Sequence, residues 1–100
     1  MNQKGEPEEN FFRVSHLIVE SEKFKILKPS SKILYYGLCK LRNRFADKNG
    51  IFWRADRVLT KDVGLGRNSI WRARHELIKT GLIKWKKGGS HRACRYQIND

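Results

Sequence analysis

With 100 residues, 39% of them hydrophobic, the chain can bury one modest core without help from a metal or a disulfide bond. It has no apolar run of about eighteen residues and no secretory pattern at its N-terminus, so we expect a cytoplasmic protein with no membrane partner. The net charge of +12 favours a polyanionic partner, although charge alone does not separate this from solubility or from the basic bias of ribosomal and membrane-surface proteins.

The charge is distributed unevenly along the chain. Residues 1–10 carry three glutamates against one lysine, and we interpret them as a flexible acidic tail. Between residues 67 and 95, Glu76 is the sole acid against nine lysines and arginines. We therefore expect one folded domain over residues 11–100, most basic towards its C-terminus.

An N-terminal arm and a longer helix are predicted first. Ser15 can cap a short helical turn, and Phe24, Ile26 and Leu27 are expected to anchor the arm on the core. A longer helix opens at Pro29, because the fixed φ of proline suits a first helical turn. At helical spacing, its predicted apolar stripe consists of Ile33, Leu34, Leu38, Leu41 and Phe45, with Gly37 and Cys39 among them.

A strand and two helices follow. The strand is predicted at residues 51–54, and the helix after it, at residues 57–63, is capped by Asp56. Gly64 suits a left-handed helix end, and Leu65 is expected to fill the space before the next helix. That next helix is predicted at residues 67–80, ends at Gly81 and faces inward through Ile70, Ala73 and Leu77.

Two strands, at residues 82–86 and 93–98, flank a basic tip that contains two glycines. The order of the elements predicts an α+β, mainly helical fold. It is a winged helix-turn-helix, with a three-helix core and a C-terminal β-hairpin as the wing.

The helix predicted at residues 67–80 carries side chains that suit a DNA groove. With its apolar stripe on the core, its outward face consists of Arg67, Asn68, Ser69, Trp71, Arg72 and His75. Arginine can form two hydrogen bonds with guanine in the major groove, and asparagine two with adenine. The free amides at the helix start suit a phosphate. The alternative is a solvated basic face.

Two residues of this helix have more than one interpretation. For Trp71 we expect full or partial burial against the core, with an exposed plate that stacks on sugars or bases as the alternative. Arg74 lies beside the apolar stripe, where it can extend to solvent or pair with Glu76, Asp56 or Asp62.

The predicted wing forms a second basic patch. Its cations are Lys84, Lys86, Lys87, Arg92 and Arg95. Flexible lysines suit phosphates better than bases, and Arg92 at the tip is placed to enter a narrow minor groove. Alternatively, lysines on an edge hairpin serve to prevent strand aggregation.

The sequence does not favour an enzyme, and it predicts no metal and no cofactor. His16, His75 and His91 are scattered, without carboxylates at ligand or triad spacing, and no glycine-rich phosphate loop occurs. Cys39 and Cys94 lack metal-ligand spacing, so we expect two buried free thiols rather than a disulfide.

Several segments together resemble a known family. They are Phe-Phe-Arg-Val at residues 11–14, Ile-Leu-Tyr at 33–35, Asn-Gly-Ile-Phe-Trp-Arg-Ala-Asp at 49–56, Ile-Trp-Arg-Ala-Arg-His-Glu-Leu at 70–77 and Gly-Leu-Ile at 81–83. In this order they resemble the winged-helix N-terminal domains of plasmid and phage replication initiators, both the replication initiator A type and the phage replisome organisers. Gly66 departs from the pattern, since many members have a Ser or Thr helix cap there.

The resemblance implies binding to repeated double-stranded DNA sites at the replication origin of a plasmid, a phage or another mobile element, often as a homodimer. The N-terminal arm or the first helix would form the dimer contact and leave the recognition helices free. Two other functions stay open from the sequence. One is a transcriptional regulator of the same fold, and the other is a winged-helix module that binds protein or RNA.

Overall fold

The computed structural model describes residues 13–88 and 93–100. The elements are α1 (His16–Val19), α2 (Glu22–Lys25), α3 (Pro29–Phe45), β1 (Ile51–Arg54), α4 (Asp56–Val63), α5 (Arg67–Lys79), β2 (Ile83–Lys86) and β3 (Cys94–Ile98). Helices α3, α4 and α5 form the three-helix core, and β2 and β3 form the wing. The α+β winged helix-turn-helix prediction is confirmed. The expected acidic tail at residues 1–10 lies outside the described residues.

The two short helices of the arm are capped by serines, and one buried aromatic side chain packs the arm on the core. Ser15 caps α1 by accepting a hydrogen bond from the amide of Ile18, and Ser21 caps α2 in the same way. Phe24 is buried, with its ring edge-on to that of Tyr35 at 5.3 Å between centroids. Leu27 is buried too, but Ile26 is 72% exposed, so its predicted anchoring role is wrong.

Helix α3 begins at Pro29, as predicted, and crosses the centre of the core. Its buried residues include Leu34, Leu38 and Leu41, but Ile33 and Phe45 are about half exposed, so the predicted stripe is wrong at both ends. Cys39 is buried, as predicted, and Tyr35 is buried as well, since an aromatic ring at position 35 fills more of the core than Ile33 would.

Helices α4 and α5 meet at a tight turn. Gly64 has a φ of 73°, a left-handed conformation that terminates α4, and Gly66 is the N-cap of α5. The predicted capping role of Asp56 is wrong, because Ala55 is the N-cap of α4 and Asp56 is its first residue. The carboxylate of Asp56 instead binds Arg74, the strongest nearby donor.

The wing hairpin joins β1 in one antiparallel sheet with the strand order β1-β3-β2. One face packs on the helices, where Phe52 and Tyr96 stack at 5.5 Å between ring centroids. Cys94 and Ile98 are buried on the same face, because alternate residues of a strand point to the same side of the sheet. The opposite face of the sheet carries Ile51 and Trp53 of β1, Lys84 and Lys86 of β2, and Arg95 and Gln97 of β3.

Candidate nucleic-acid interface

The outward face of α5 is the first part of the candidate interface. Ile70, Ala73 and Leu77 are buried, as predicted, and this fixes the rotation of the helix about its axis. Five of the six predicted groove-facing residues are therefore exposed, and the sixth, Ser69, is half-buried: Arg67, Asn68, Ser69, Trp71, Arg72 and His75. Their side chains form one continuous surface over the first three turns of α5.

Trp71 belongs to this surface and not to the core. Its side chain is 57% exposed, so the expected burial is wrong and the alternative of an exposed plate describes its position. It follows Ile70 by one residue, which places it about 100° away from the centre of the buried stripe. His75, one turn later, lies edge-on to the indole at 4.0 Å between ring centroids. The pair presents two aromatic rings beside Arg72.

Arg74 connects α5 to the rest of the domain from within. It is 4% exposed, and it donates hydrogen bonds to the two carboxylate oxygens of Asp56 at 2.7 and 3.2 Å and to the Tyr96 hydroxyl at 3.0 Å. Its guanidinium also lies 4.6 Å from the centroid of the Trp85 ring. Burial opposes the charge, but these hydrogen bonds raise the pKa of Arg74 above its ordinary value. One side chain thus ties α5 to α4 and to both strands of the wing.

The three predicted partners of Arg74 were Asp56, Asp62 and Glu76, and each of them forms a different contact. Asp62 pairs with Arg54 at 2.7 Å, which joins α4 to β1. Glu76 turns to the start of α3, where its carboxylate accepts hydrogen bonds from the amide of Lys28 at 3.2 Å and from the Ser31 hydroxyl. An anion stabilises a helix N-terminus, so this contact holds α5 against α3. This contact was not predicted, because no local sequence pattern relates residues 45 positions apart.

These pairings leave the outward surface basic. Asp56, Asp62 and Glu76 are occupied by contacts inside the domain. Within residues 13–88 and 93–100, no ion pair involves Arg67, Arg72 or a lysine of the wing. A polyanion approaching α5 therefore meets cations without competing carboxylates on the helix surface.

The wing supplies the second part of the candidate interface. Lys84, Lys86 and Lys87 are exposed, and Arg95 is half-buried. Arg92, predicted at the tip, lies outside the described residues. In the sheet register Arg95 stands between Lys86 on one side and Trp53 on the other. Trp53 was not among the predicted site residues, although strand alternation over residues 51–54 points its side chain to the opposite face from the buried Phe52.

Metal-binding clusters do not occur in the described ranges, which contain no group of three or more His, Cys, Asp or Glu residues placed to hold a metal ion. Cys39 and Cys94 are free and buried, as predicted. No helix in this part of the chain is both long and apolar enough to cross a membrane.

Solved structures share this fold. The N-terminal domain of a DNA-binding protein superposes with a TM-score of 0.66 and 21% sequence identity, over 100% of this chain and 85% of that one. A Rep protein solved in complex with DNA superposes with a TM-score of 0.68 and 20% identity, over 95% of this chain and 78% of that one. No protein-family model and no curated relative matches the chain.

Proposed function

We propose that the protein binds double-stranded DNA, with α5 in the major groove and the wing on the flanking phosphates. The observation that carries this proposal is the outward face of α5, where Arg67, Asn68 and Arg72 are exposed on a helix whose inner side is fixed. A helix about 10–12 Å across fits the major groove, which is about 12 Å wide. The similar structures, a DNA-binding domain and a Rep–DNA complex, support it.

Within this proposal the residues have different tasks. Arg72 and Asn68 have the donor geometry to distinguish bases, and Arg67 and Ser69 lie at the helix start, where phosphate contacts are common. Trp71 and His75 pack against the sugar edge of the groove. The wing cations Lys84, Lys86, Lys87, Arg92 and Arg95 bind phosphates and hold the register without reading sequence. This is a binding role, and it requires no catalytic group, cofactor or metal.

The biological setting we propose is replication initiation of a plasmid, a phage or another mobile element in the bacterial cytoplasm. The family resemblance of residues 11–83 and the Rep–DNA neighbour support this setting. A homodimer would place two α5 helices on repeated sites. Its contact is proposed on the arm and α3, which expose Leu17, Ile26, Ile33 and Tyr36. Sedimentation of wild type beside Ile33→Lys tests this contact, and a monomer at micromolar concentration contradicts it.

Binding to duplex DNA across several salt concentrations tests the main proposal. Wild type, Arg72→Ala and Lys86→Ala/Lys87→Ala are compared on random duplexes and on duplexes selected for binding. Arg72→Ala should reduce the preference for the selected site by about 1–3 kcal/mol, the contribution of one bidentate base contact. The wing variant should weaken all duplexes alike and flatten the salt dependence by about one unit for each phosphate that the wing no longer binds.

Lys40→Ala is the matched control, because it removes one exposed cation from α3, which is not part of the proposed DNA interface. It should change the salt dependence little. Absence of duplex binding by wild type near physiological salt contradicts the proposal, and so does equal weakening by all three variants.

A further inference from the structure

The outer face of the sheet carries an aromatic and basic row whose aromatic member has no role in the duplex-binding proposal. Trp53 of β1, Arg95 of β3 and Lys86 of β2 are direct partners in the antiparallel register, and we call these three residues the outer rung. Directly opposed residues project from the same face of a sheet. With strands about 4.8 Å apart, the indole, the guanidinium and the ammonium group span about 10 Å in one line.

The Trp53 side chain does not contribute to the core of the domain. Its side chain is 56% exposed, whereas its neighbour Phe52 is 1% exposed and supplies the aromatic contact of β1 with the core. Within the described residues, no ring contact and no hydrogen bond of the Trp53 side chain is found. An indole ring that is exposed to solvent beside two cations is typical of a surface that binds a partner.

The charge of this face identifies the chemistry of the partner. The outward positions of the three strands are Ile51, Trp53, Lys84, Lys86, Arg95 and Gln97, and they include no acid. In the described part of the chain, the three cations among them form no ion pair. A polyanion that also carries a planar apolar group can contact both the cations and the indole ring of the outer rung.

The exposed Trp53 ring favours a single-stranded nucleic acid over a duplex as the partner of this face. In a duplex the bases are stacked on one another, so their faces are covered and the Trp53 ring cannot stack on them. In a single strand each base exposes a face, on which an aromatic side chain can stack while nearby cations bind the backbone. The outer rung has this combination of an aromatic ring and nearby cations. Helix α5, which we propose enters the major groove of a duplex, lies on the other side of the sheet.

We infer that the outer face of the sheet is a binding site for single-stranded DNA. One base stacks on Trp53, and the adjacent phosphates contact Arg95 and Lys86. The choice of DNA over RNA rests on the proposed function. The wing cations can bind the phosphates of either a duplex or a single strand. The Trp53 ring is therefore the group whose removal should weaken single-strand binding but not duplex binding.

The test measures binding of fluorescently labelled twelve-residue oligo(dT) and of a selected duplex by anisotropy, at matched salt. Trp53→Ala should weaken oligo(dT) binding about tenfold, within the range known for removal of one stacked base, and leave duplex binding within about twofold. Trp53→Phe, which keeps a smaller ring, should lie between Trp53→Ala and wild type. Phe45→Ala removes another half-exposed aromatic, at the end of α3, and should leave both affinities unchanged.

Tryptophan fluorescence gives a second readout that does not depend on the stability of Trp53→Ala. In a Trp71→Phe background, Trp53 and Trp85 remain, and Trp85 is half-buried on the inner face. Oligo(dT) should quench this protein, and the further change Trp53→Phe should abolish the quenching. Circular dichroism of each variant confirms that the fold is retained.

The outcomes separate this inference from the proposed function. Unchanged oligo(dT) affinity in Trp53→Ala, or an equal reduction for duplex and single strand, overturns the inference while duplex binding by wild type still stands. Trp53-dependent oligo(dT) binding without any duplex binding supports the single-strand site and overturns the proposed function. Tighter binding of oligo(U) than of oligo(dT) overturns the choice of DNA.

Discussion

Arg74 and Asp56 form a two-point ion pair, at 2.7 and 3.2 Å, that joins the middle of α5 to the first turn of α4. The Arg74 side chain is 5% exposed and that of Asp56 is 35% exposed, so the pair lies at the margin of the core. Since Arg74 also binds the Tyr96 hydroxyl, its guanidinium connects α5 to β3 as well as to α4. The two parts of the proposed DNA interface are therefore joined through one buried side chain.

Replacing Arg74 by methionine should destabilise the fold by about 3 kcal/mol, because it leaves the Tyr96 hydroxyl buried without its donor and Asp56 without its partner. The free energy of unfolding in urea measures the effect. Arg54→Met is the matched control. It breaks the Arg54–Asp62 pair, whose side chains are both more than 20% exposed, and should cost about 1 kcal/mol or less. Equal destabilisation of the two variants would contradict the special position of Arg74.

Gly37 is expected to be required where α3 and α4 cross. A Cβ atom at this position would overlap Cγ1 of Val63, far inside van der Waals contact. Gly37→Ala should therefore destabilise the protein by about 1–3 kcal/mol, although alanine favours a helix by about 1 kcal/mol. The double variant Gly37→Ala/Val63→Ala should recover part of this stability, which a double-mutant cycle of urea unfolding measures. Additive effects would show that the overlap is not the cause.

Most of the fold followed from local patterns in the sequence. The positions of Pro29, Gly64 and Gly81 fixed helix ends, because each residue type restricts the backbone in a known way. The stripe at Ile70, Ala73 and Leu77 fixed the rotation of α5 and hence the exposed face of the candidate site. These signals act over a few residues, so they can be read without knowing the tertiary contacts.

The wrong or missing predictions concern choices made by tertiary contacts. Asp56 suited an N-cap by local rules, but the cation of Arg74, 18 positions away, took its carboxylate. Trp71 looked large enough for the core, but Tyr35, Phe52 and Tyr96 already fill it. The pairing of β1 with β3, which creates the outer rung, joins residues 40 to 46 positions apart and has no local signature.

The Glu76 contact with α3 should contribute about 1–2 kcal/mol to stability. Its carboxylate binds the Ser31 hydroxyl and the amide of Lys28, so it acts as a helix cap supplied by another helix. Glu76→Ala should remove the whole contribution, and Ser31→Ala only a part of it, as measured by urea unfolding. Glu20→Ala, an exposed acid after α1, is the control and should change stability by less than about 0.5 kcal/mol. An effect no larger than this in Glu76→Ala would refute the capping role.

Stability should fall steeply at alkaline pH because burial raises the pKa of several groups, among them Tyr35, Cys39 and Tyr96. Burial raises the pKa of the Cys39 thiol from 9.0 to about 11 and that of the Tyr96 phenol from 10.0 to about 12. Each raised pKa means that the fold favours the neutral form. The corresponding stability is complete below the unfolded pKa and is lost as the pH rises through the folded one. The decline should therefore run from pH 9 to 11 for Cys39 and from pH 10 to 12 for Tyr96.

Urea unfolding at several pH values between about 8 and 11 measures this decline, which should approach about 1.4 kcal/mol per pH unit for each titrating group. Cys39→Ala should be less stable than wild type near neutral pH, because it leaves a small cavity, but its stability should decline less in the alkaline range. Tyr96→Phe should lack the hydrogen bond from Arg74 and become less sensitive to the highest pH values. If both variants decline as steeply as wild type, the alkaline destabilisation comes from other groups, and burial of Cys39 and Tyr96 does not control it.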